Sequence, residues 1–314
     1  MATTFDSGFS DWNPSRLPDL SGKRFFITGA NVGLGFEAAK MLRAKNADVL
    51  VGSRNEDRGR AAVSKISDVP GSGAVELVKI DLADKSSINI AAGFVRGFAA
   101  SGLDAIVNNA GIMQTPEQKT ADGFEMQFGT NHLGHFYMNH LLFDLVAARN
   151  GRIVPVSSIA HKPPAKLNFD NIMFEGNYSP IMAYGQSKLA NLVYGLELQR
   201  RLDAAGSEVA SITCHPGYAA TNLQSTGPTG AWKAFYKVSN KLMAQSAERG
   251  AQPLALAAAG TEAKPGGYYG PVKFGGARGE ISDSDIVGDI AMNPEAGSKL
   301  WELSEELLGI NWSI

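Results

Sequence analysis

Apolar residues occur along this chain in short unbroken runs. Between them lie longer stretches in which polar and apolar positions recur with a helical period. Residues 24–28 (RFFIT) form the first run and end in a glycine turn, after which 33–45 reads as a helix. Residues 48–52 give a second strand and 56–66 a charged helix, then 75–80 a third strand and 85–99 a third helix. Strands are also predicted over 103–107 and 152–156, separated by a long helical stretch around 123–148. A helix over 183–205, a strand over 209–213 and a final strand near 268–269 complete the series. Short apolar strands alternating with helices imply a parallel sheet covered on both faces, since a strand buried on two sides has no polar face to show. No repeat, low-complexity linker or compositional break divides the chain, so one α/β domain is expected over 21–314. Residues 1–20 read as an irregular arm, and 217–252 as an insertion ahead of the final strand.

Charge and cysteine content narrow the setting. The 314 residues carry 29 Lys and Arg against 31 Asp and Glu, a net charge of −2. Such a balance points to neither a nucleic-acid face nor a polybasic membrane patch. The single cysteine, Cys214, rules out an internal disulfide framework and fits a reducing compartment. Residues 1–22 lack the basic start and apolar core of a signal peptide, and no stretch approaches the ~20 apolar residues of a membrane span. A cytoplasmic protein without a membrane anchor is the expectation.

The candidate chemistry lies at the predicted strand ends and on one helix. Thr28-Gly29-Ala30-Asn31-Val32-Gly33-Leu34-Gly35 joins the first strand to the first helix. Glycines there let backbone amides and the positive helix end approach a diphosphate, the alternative being a tight corner alone. After the second strand, Ser53 and Arg54 stand where NAD-binding proteins carry an acid, and they suit a 2′-phosphate with Arg58 as helper. A solvated arginine at a helix start is the other reading. Asp81 is placed to accept from an adenine amino group or to serve the N-terminal region of a helix. Asn108-Asn109-Ala110-Gly111 closes the fourth strand with small and amide residues, which suit a nearby cofactor or a simple turn. Tyr184 and Lys188, four apart on a predicted helix, share a face about one turn apart. An ammonium beside a phenol favours the phenolate, lowering a pKa that starts near roughly 10, so Tyr184 is the candidate proton donor and acceptor.

Taken together, these motifs resemble the short-chain dehydrogenase/reductase family. The shared pattern is T-G-x-x-x-G-x-G at 28–35, N-N-A-G at 108–111, Asn131, Ser157-Ser158 and Y-x-x-x-K at 184–188, in that order, over about residues 20–270. N-H-L-G-H-F at 131–136, V-S-S-I-A-H at 156–161, A-Y-x-x-S-K-L-A-N at 183–191 and H-P-G at 215–217 are similar to its retinol-dehydrogenase-like branch. The resemblance implies a doubly wound, Rossmann-type sheet of seven strands and hydride transfer with a nicotinamide cofactor. It also implies roles for individual residues. Tyr184 matches the general acid/base, Lys188 the residue that binds the nicotinamide ribose, and Ser158 (not Ser157) the serine that polarises the substrate oxygen. Asn131 matches the asparagine of the proton relay, and Thr221 a threonine touching the carboxamide. Cofactor contacts are expected at Gly29, Asn31, Gly33, Leu34, Gly35, Ser53, Arg54, Asp81, Leu82, Asn109, Ala110, Gly111, Pro216 and Gly217, besides Tyr184 and Lys188 themselves. Ser158 and Tyr184 stand about twice as far apart in sequence as in most compact members, so residues 161–181 read as a loop beside the active site. Members of this branch often carry a membrane anchor ahead of the glycine loop, and because none is expected here retinoids are an unsafe guess for the substrate.

Other constellations point to no separate chemistry. His132, His135 and His140 have no acid or cysteine at ligand-like spacing, and no metal site is expected. Ser158 lacks the G-x-S-x-G surroundings of a hydrolase elbow. Cys214, at the end of a strand beside His215, reads as an inert core thiol. Trp232, Phe235 and Tyr236 recur near helical spacing, either as packing or as an apolar lid over the pocket. The function expected is NADP(H)-dependent interconversion of a carbonyl and an alcohol of a hydrophobic small molecule. NAD(H) dependence, or a non-catalytic dinucleotide-binding regulator, is the alternative. The helix over 183–205 serves either a homodimer or homotetramer contact or internal packing.

Overall fold

Residues 24–28 bury four apolar or hydroxylated side chains in a row and form β1 (Arg24–Thr28), the centre of the sheet. The computed structural model describes residues 6–218, 245–285 and 289–314. The chain continues through α1 (Gly33–Arg43), β2 (Asp48–Ser53), α2 (Glu56–Ser67), β3 (Val75–Lys79), α3 (Lys85–Phe98) and β4 (Ala105–Asn108). A helical turn, α4 (Met126–Phe128), passes through a π-helical turn (Gly129–Leu133) into α5 (Gly134–Ala147), and β5 (Arg152–Pro155) follows. Then come α6 (Pro180–Ala204), β6 (Ala210–Ser211), β7 (Thr213–Cys214), α7 (Ala247–Ala259), β8 (Tyr268–Lys273), β9 (Arg278–Asp283), α8 (Asp289–Met292) and α9 (Pro294–Leu308).

The main sheet has the order β3-β2-β1-β4-β5-β6, all parallel. Its registers put Phe26, Leu50, Ile106 and Ile153 on one face, in the core built with α3, α5, α6 and α9. Phe25, Ile27, Val49, Val51, Val107 and Val154 face the opposite core, with α1, α2 and α7. Burial on both faces is why these strands read as unbroken apolar runs.

Three expectations are corrected. The sheet has six strands, not seven. Residues 210–214 switch partners: Ile212 N–H donates to Ile153 O at 3.0 Å, whereas Thr213 N–H donates to Gly267 O at 2.9 Å. The would-be seventh strand, β8, therefore pairs with β7 in a separate three-stranded sheet. Nor is β8 the last strand, because it turns back antiparallel into β9. Only Ile281 of β9 is buried, so no apolar run announces it. The last residues of the stretch read as an insertion, 217–252, belong to α7, which begins at Ala247 and is buried against α1. Residues 219–244, including Thr221, Trp232, Phe235 and Tyr236, lie outside the described residues.

The arm preceding β1 is irregular apart from one 3-10 turn (Pro14–Arg16), yet it is docked. Trp12 is fully buried, its backbone N–H donating to Ile281 O at 2.9 Å and its indole to Glu262 at 3.1 Å. At the other end α9 covers α6, and Trp301 and Trp312 pack with Phe136 and Tyr194 at ring separations of 4.9 to 6.4 Å. Two glycines of α6 pack internally: a side chain at Gly185 would meet Ala160 O and Ala165, and one at Gly195 would meet Thr213 Oγ1. Among the described residues no helix is long and apolar enough to cross a membrane.

Candidate active site

Helix α6 begins with Pro180 at its first position, where a missing N–H costs nothing. One turn in stands Tyr184, and one turn further Lys188, with its ammonium 6.0 Å from the Tyr184 ring centre. Lys188 is buried, and its Nζ donates to Val156 O at 3.1 Å, a carbonyl that Asn191 Nδ2 also reaches at 3.2 Å. Burial pushes the Lys188 ammonium down to about 8, leaving it mostly charged at neutral pH.

The two serines after β5 take different roles. Ser157 is buried and donates to Lys188 O at 2.8 Å, fixing the helix against the strand end. Ser158 caps the 3-10 turn Ile159–His161 by accepting from Ala160 N–H at 3.2 Å, so its own O–H is left to donate. Ser158, Tyr184 and Lys188 line one cavity of about 410 Å3, along with Leu34, Asn109, Pro216 and Gly217. The remaining wall is largely apolar: Met113, Ile159, Pro163, Pro164, Ile181, Met182 and Tyr218, with Gln114 and Lys162 as polar members. The expected loop at 161–181 does border the cavity, and Leu167 and Ile172 anchor it in the core.

Asn131 sits behind this wall, fully buried in the π-helical turn. Its amide grips Ile112 from both sides, accepting from the N–H at 2.8 Å and donating to the carbonyl at 2.9 Å, and it donates to Ser187 Oγ at 2.9 Å. Such widened turns gather at functional sites because they re-aim one side chain without ending the helix. Glycines flank the turn for steric reasons: a Cβ on Gly129 would lie 2.6 Å from Thr120, and one on Gly134 would strike Leu82 O. Gly111 is adjacent, and its Cβ position is 3.1 Å from Asn131 Oδ1 and 3.6 Å from Lys188 Nζ.

The glycine loop fits a dinucleotide diphosphate. Gly29 and Gly33 have φ of +65° and +62°, which side-chain-bearing residues rarely adopt. A Cβ on Gly29 would be 2.9 Å from Ala110 Cα, and one on Gly35 would collide with Asn109 Nδ2, so the loop lies tight on the end of β4. Asn109 Nδ2 holds it there, donating to Thr28 O at 2.7 Å. At Gly33, by contrast, a Cβ would meet open space. The N-cap of α1, Val32, supplies no side-chain acceptor and the first turn has no acid, so its amides suit an anion. Asn31 and Leu34 belong to the same corner.

The outlying contacts are placed less uniformly. Ser53 is buried with its hydroxyl donating to Asn55 O at 2.8 Å, whereas Arg54 and Arg58 are exposed beyond β2 with no ion pair to a described residue. Asp81 accepts from Ala83 N–H at 3.0 Å, and the N-cap of α3 is Asp84. The Leu82 side chain belongs to the main core. The three histidines of the 131–140 segment are held apart: His132 bonds Ser304 at 3.0 Å, His135 bonds Thr28, and His140 meets Trp312 edge-on.

His135 was missed as a site residue by sequence reasoning. Its Nδ1 donates to Asn131 O at 3.0 Å, and its Nε2 accepts from Thr28 Oγ1 at 2.8 Å, tying the glycine loop to the π-helical turn. Burial pushes it down to about 4, which keeps the ring neutral as this pairing requires. Its place in N-H-L-G-H-F at 131–136, four residues after Asn131, was the signal that could have found it. Cys214 is buried and its thiol is pushed up by that burial, as an inert core thiol would be.

Comparison with known proteins agrees with this geometry. The short chain dehydrogenase family pattern matches residues 23–230. Retinol dehydrogenase 11 of Homo sapiens is 36% identical over 300 residues, covering 93% of this chain and 87% of that protein. Polyprenol dehydrogenase of Danio rerio is 34% identical over 305 residues, covering 94% and 90%. An uncharacterized protein of known structure from Mycobacterium paratuberculosis superposes with a TM-score of 0.78 at 36% identity, covering 97% of this chain and 100% of that one. Fold, motifs and relatives agree: the chain belongs to the short-chain dehydrogenase/reductase family, in its retinol-dehydrogenase-like branch, and is an NAD(P)-dependent oxidoreductase of CH–OH and carbonyl groups.

Proposed function

We propose that the protein interconverts a carbonyl and an alcohol of a hydrophobic small molecule, prefers NADP(H), and uses Tyr184 as general acid/base. The observation that carries this reading is the convergence of Ser158, Tyr184 and Lys188 on one largely apolar cavity that also reaches Leu34 and Asn109 of the cofactor loops. Relatives named for retinol and polyprenol, both apolar alcohols, support the substrate class. Gly29, Gly33, Gly35 and the start of α1 would hold the diphosphate, and Arg54 with Arg58 would supply charge for a 2′-phosphate. When bound, the nicotinamide supplies or accepts the hydride.

This chain's residues handle the oxygen. Ser158 and Tyr184 donate hydrogen bonds to it as negative charge grows, and fixed donors in a dry site supply a few kcal/mol each. Tyr184 then passes its proton to the alkoxide, and in the reverse direction takes it back. Lys188 keeps a positive charge beside the phenol, and Asn131, locked onto Ile112, holds the segment below it.

A panel of apolar aldehydes, ketones and alcohols, followed by nicotinamide absorbance with each cofactor, tests the proposal. Tyr184→Phe is expected to lower kcat by at least about a thousandfold while cofactor affinity stays within about twofold. Substantial residual turnover in that variant would remove the proton-transfer role.

A further inference from the structure

Two walls of the cavity are joined by a buried amide that no motif assigns. Gln127, in α4, is fully buried. Its Oε1 accepts from Gln114 N–H at 2.7 Å, and its Nε2 donates to the Tyr178 hydroxyl at 2.8 Å and to Pro180 O at 3.0 Å. Both amide hydrogens and the oxygen are thus used. The Tyr178 hydroxyl in turn lies 3.1 Å from Thr115 O and 3.1 Å from Glu125 Oε1. Burial, reinforced by the Glu125 carboxylate, pushes this phenol up to about 12, so it stays protonated and keeps a hydrogen to donate.

What these bonds connect gives them a consequence. Gln114 lines the cavity after β4, held at φ +52°, a left-handed conformation unusual for a side-chain-bearing residue. Pro180 opens α6, and the next two residues, Ile181 and Met182, line the cavity ahead of Tyr184. Among the described residues no backbone hydrogen bond joins 113–116 to 177–182. Apolar contacts alone would let the two walls slide, whereas directional bonds to a buried amide fix their separation.

We propose that Gln127 and Tyr178 form a positioning clasp that sets the spacing between the Met113–Gln114 wall and the first turn of α6, and thereby the girth of apolar substrate the cavity accepts. The inference rests on the oxidoreductase reading for its kinetic consequence but not for its structural one. Neither residue touches the reacting atoms. Both act through the walls they hold.

The test compares wild type with Tyr178→Phe and with Gln127→Met, a swap of similar volume that removes every bond of the amide. Amide hydrogen exchange of the full chain is expected to quicken at least about tenfold in 113–116 and in 178–182 together, with β1 and β4 unchanged. Steady-state kinetics on slim straight-chain and bulky ring-bearing aldehydes should show the KM-based discrimination between them narrowing about three- to tenfold, the loss of one or two hydrogen bonds. The kcat for slim substrates should stay within about twofold. Exchange within twofold of wild type in both segments would overturn the clasp. Equal losses of kcat for every substrate size would overturn its role in specificity. If Gln127→Met does not fold, Tyr178→Phe alone decides, since its ring remains half-buried. Absence of turnover in wild type would sink the oxidoreductase reading, while the exchange result would still decide whether the walls are clasped.

Discussion

Lys188 is asked to be both buried and charged. Burial lowers its ammonium to about 8 from 10.5, so the positive charge beside Tyr184 persists at neutral pH but has little margin on the alkaline side. In the reductive direction kcat/KM is therefore expected to fall as pH rises through about 8, because the free enzyme loses the ammonium there. A profile flat to pH 10 would deny the lysine its electrostatic part. Neighbouring residues show how finely roles divide at this scale: both serines line the cavity, but the Ser157 O–H is spent on Lys188 O, whereas Ser158, accepting from Ala160 N–H, keeps its own to donate. Arg54, to which the proposed function gives the 2′-phosphate, is exposed and without an ion pair to a described residue. Arg54→Ala is expected to weaken NADPH binding about tenfold or more and NADH binding hardly at all, as a lost charge-assisted contact of about 1.5–3 kcal/mol would. Equal losses for both cofactors in a fluorescence titration would refute the phosphate role. That Ser158, Tyr184 and Lys188 would be candidates was legible because each expected chemical role demands a particular side chain, and the fold brings the three to one cavity. His135 was not, since its partner Thr28 is 107 positions away and only folding brings them together.

At the scale of elements, the corner between β1 and α1 depends on glycine for two different reasons. Gly33 needs a positive φ in open space, whereas Gly35 needs the absence of a Cβ against Asn109. Gly35→Ala is expected to push Asn109 off Thr28 O, destabilise the fold by about 1–3 kcal/mol and weaken cofactor binding at least about tenfold. A thermal melt and a cofactor titration check both halves, and an unchanged cofactor affinity would show that the loop tolerates the shift. Here the sequence was informative: strands buried on both faces advertise themselves as apolar runs, and their glycine ends as turns. It was silent where a strand buries a single side chain, as with β9, which buries Ile281 and is otherwise held by its antiparallel partner β8 and the N-terminal arm. Likewise nothing local in 210–214 foretold that its hydrogen bonds would turn from β5 to β8.

For the whole molecule, four histidines are folded in as neutral rings. Burial pushes His132 and His215 down to about 3 and His135 and His161 to about 4. Between their ordinary value of 6.5 and these lower values, the unfolded chain binds protons that the folded one refuses. Stability must then fall as pH drops through that window. A loss on the order of a few kcal/mol is expected between pH 7 and about pH 5, read from urea midpoints. A midpoint that holds constant or rises would contradict the buried neutral rings. Both chain ends contribute at this scale, Trp12 seated against β9 and α9 laid over α6. Neither arrangement was evident from the sequence, where the arm reads as irregular and no element was predicted beyond 268–269. By itself the sequence determined the α/β alternation, the order of the motifs and the residue types at the reacting centre. Hydrophobic period, turn chemistry and proton chemistry are properties of neighbouring residues. Only the tertiary structure decided which strand Tyr268 joins, which helix covers α6, and that Gln127 and Tyr178, 51 positions apart, meet at the cavity wall. Those contacts form between segments whose local patterns do not specify each other, and they exist once the cores on both faces of the sheet have closed.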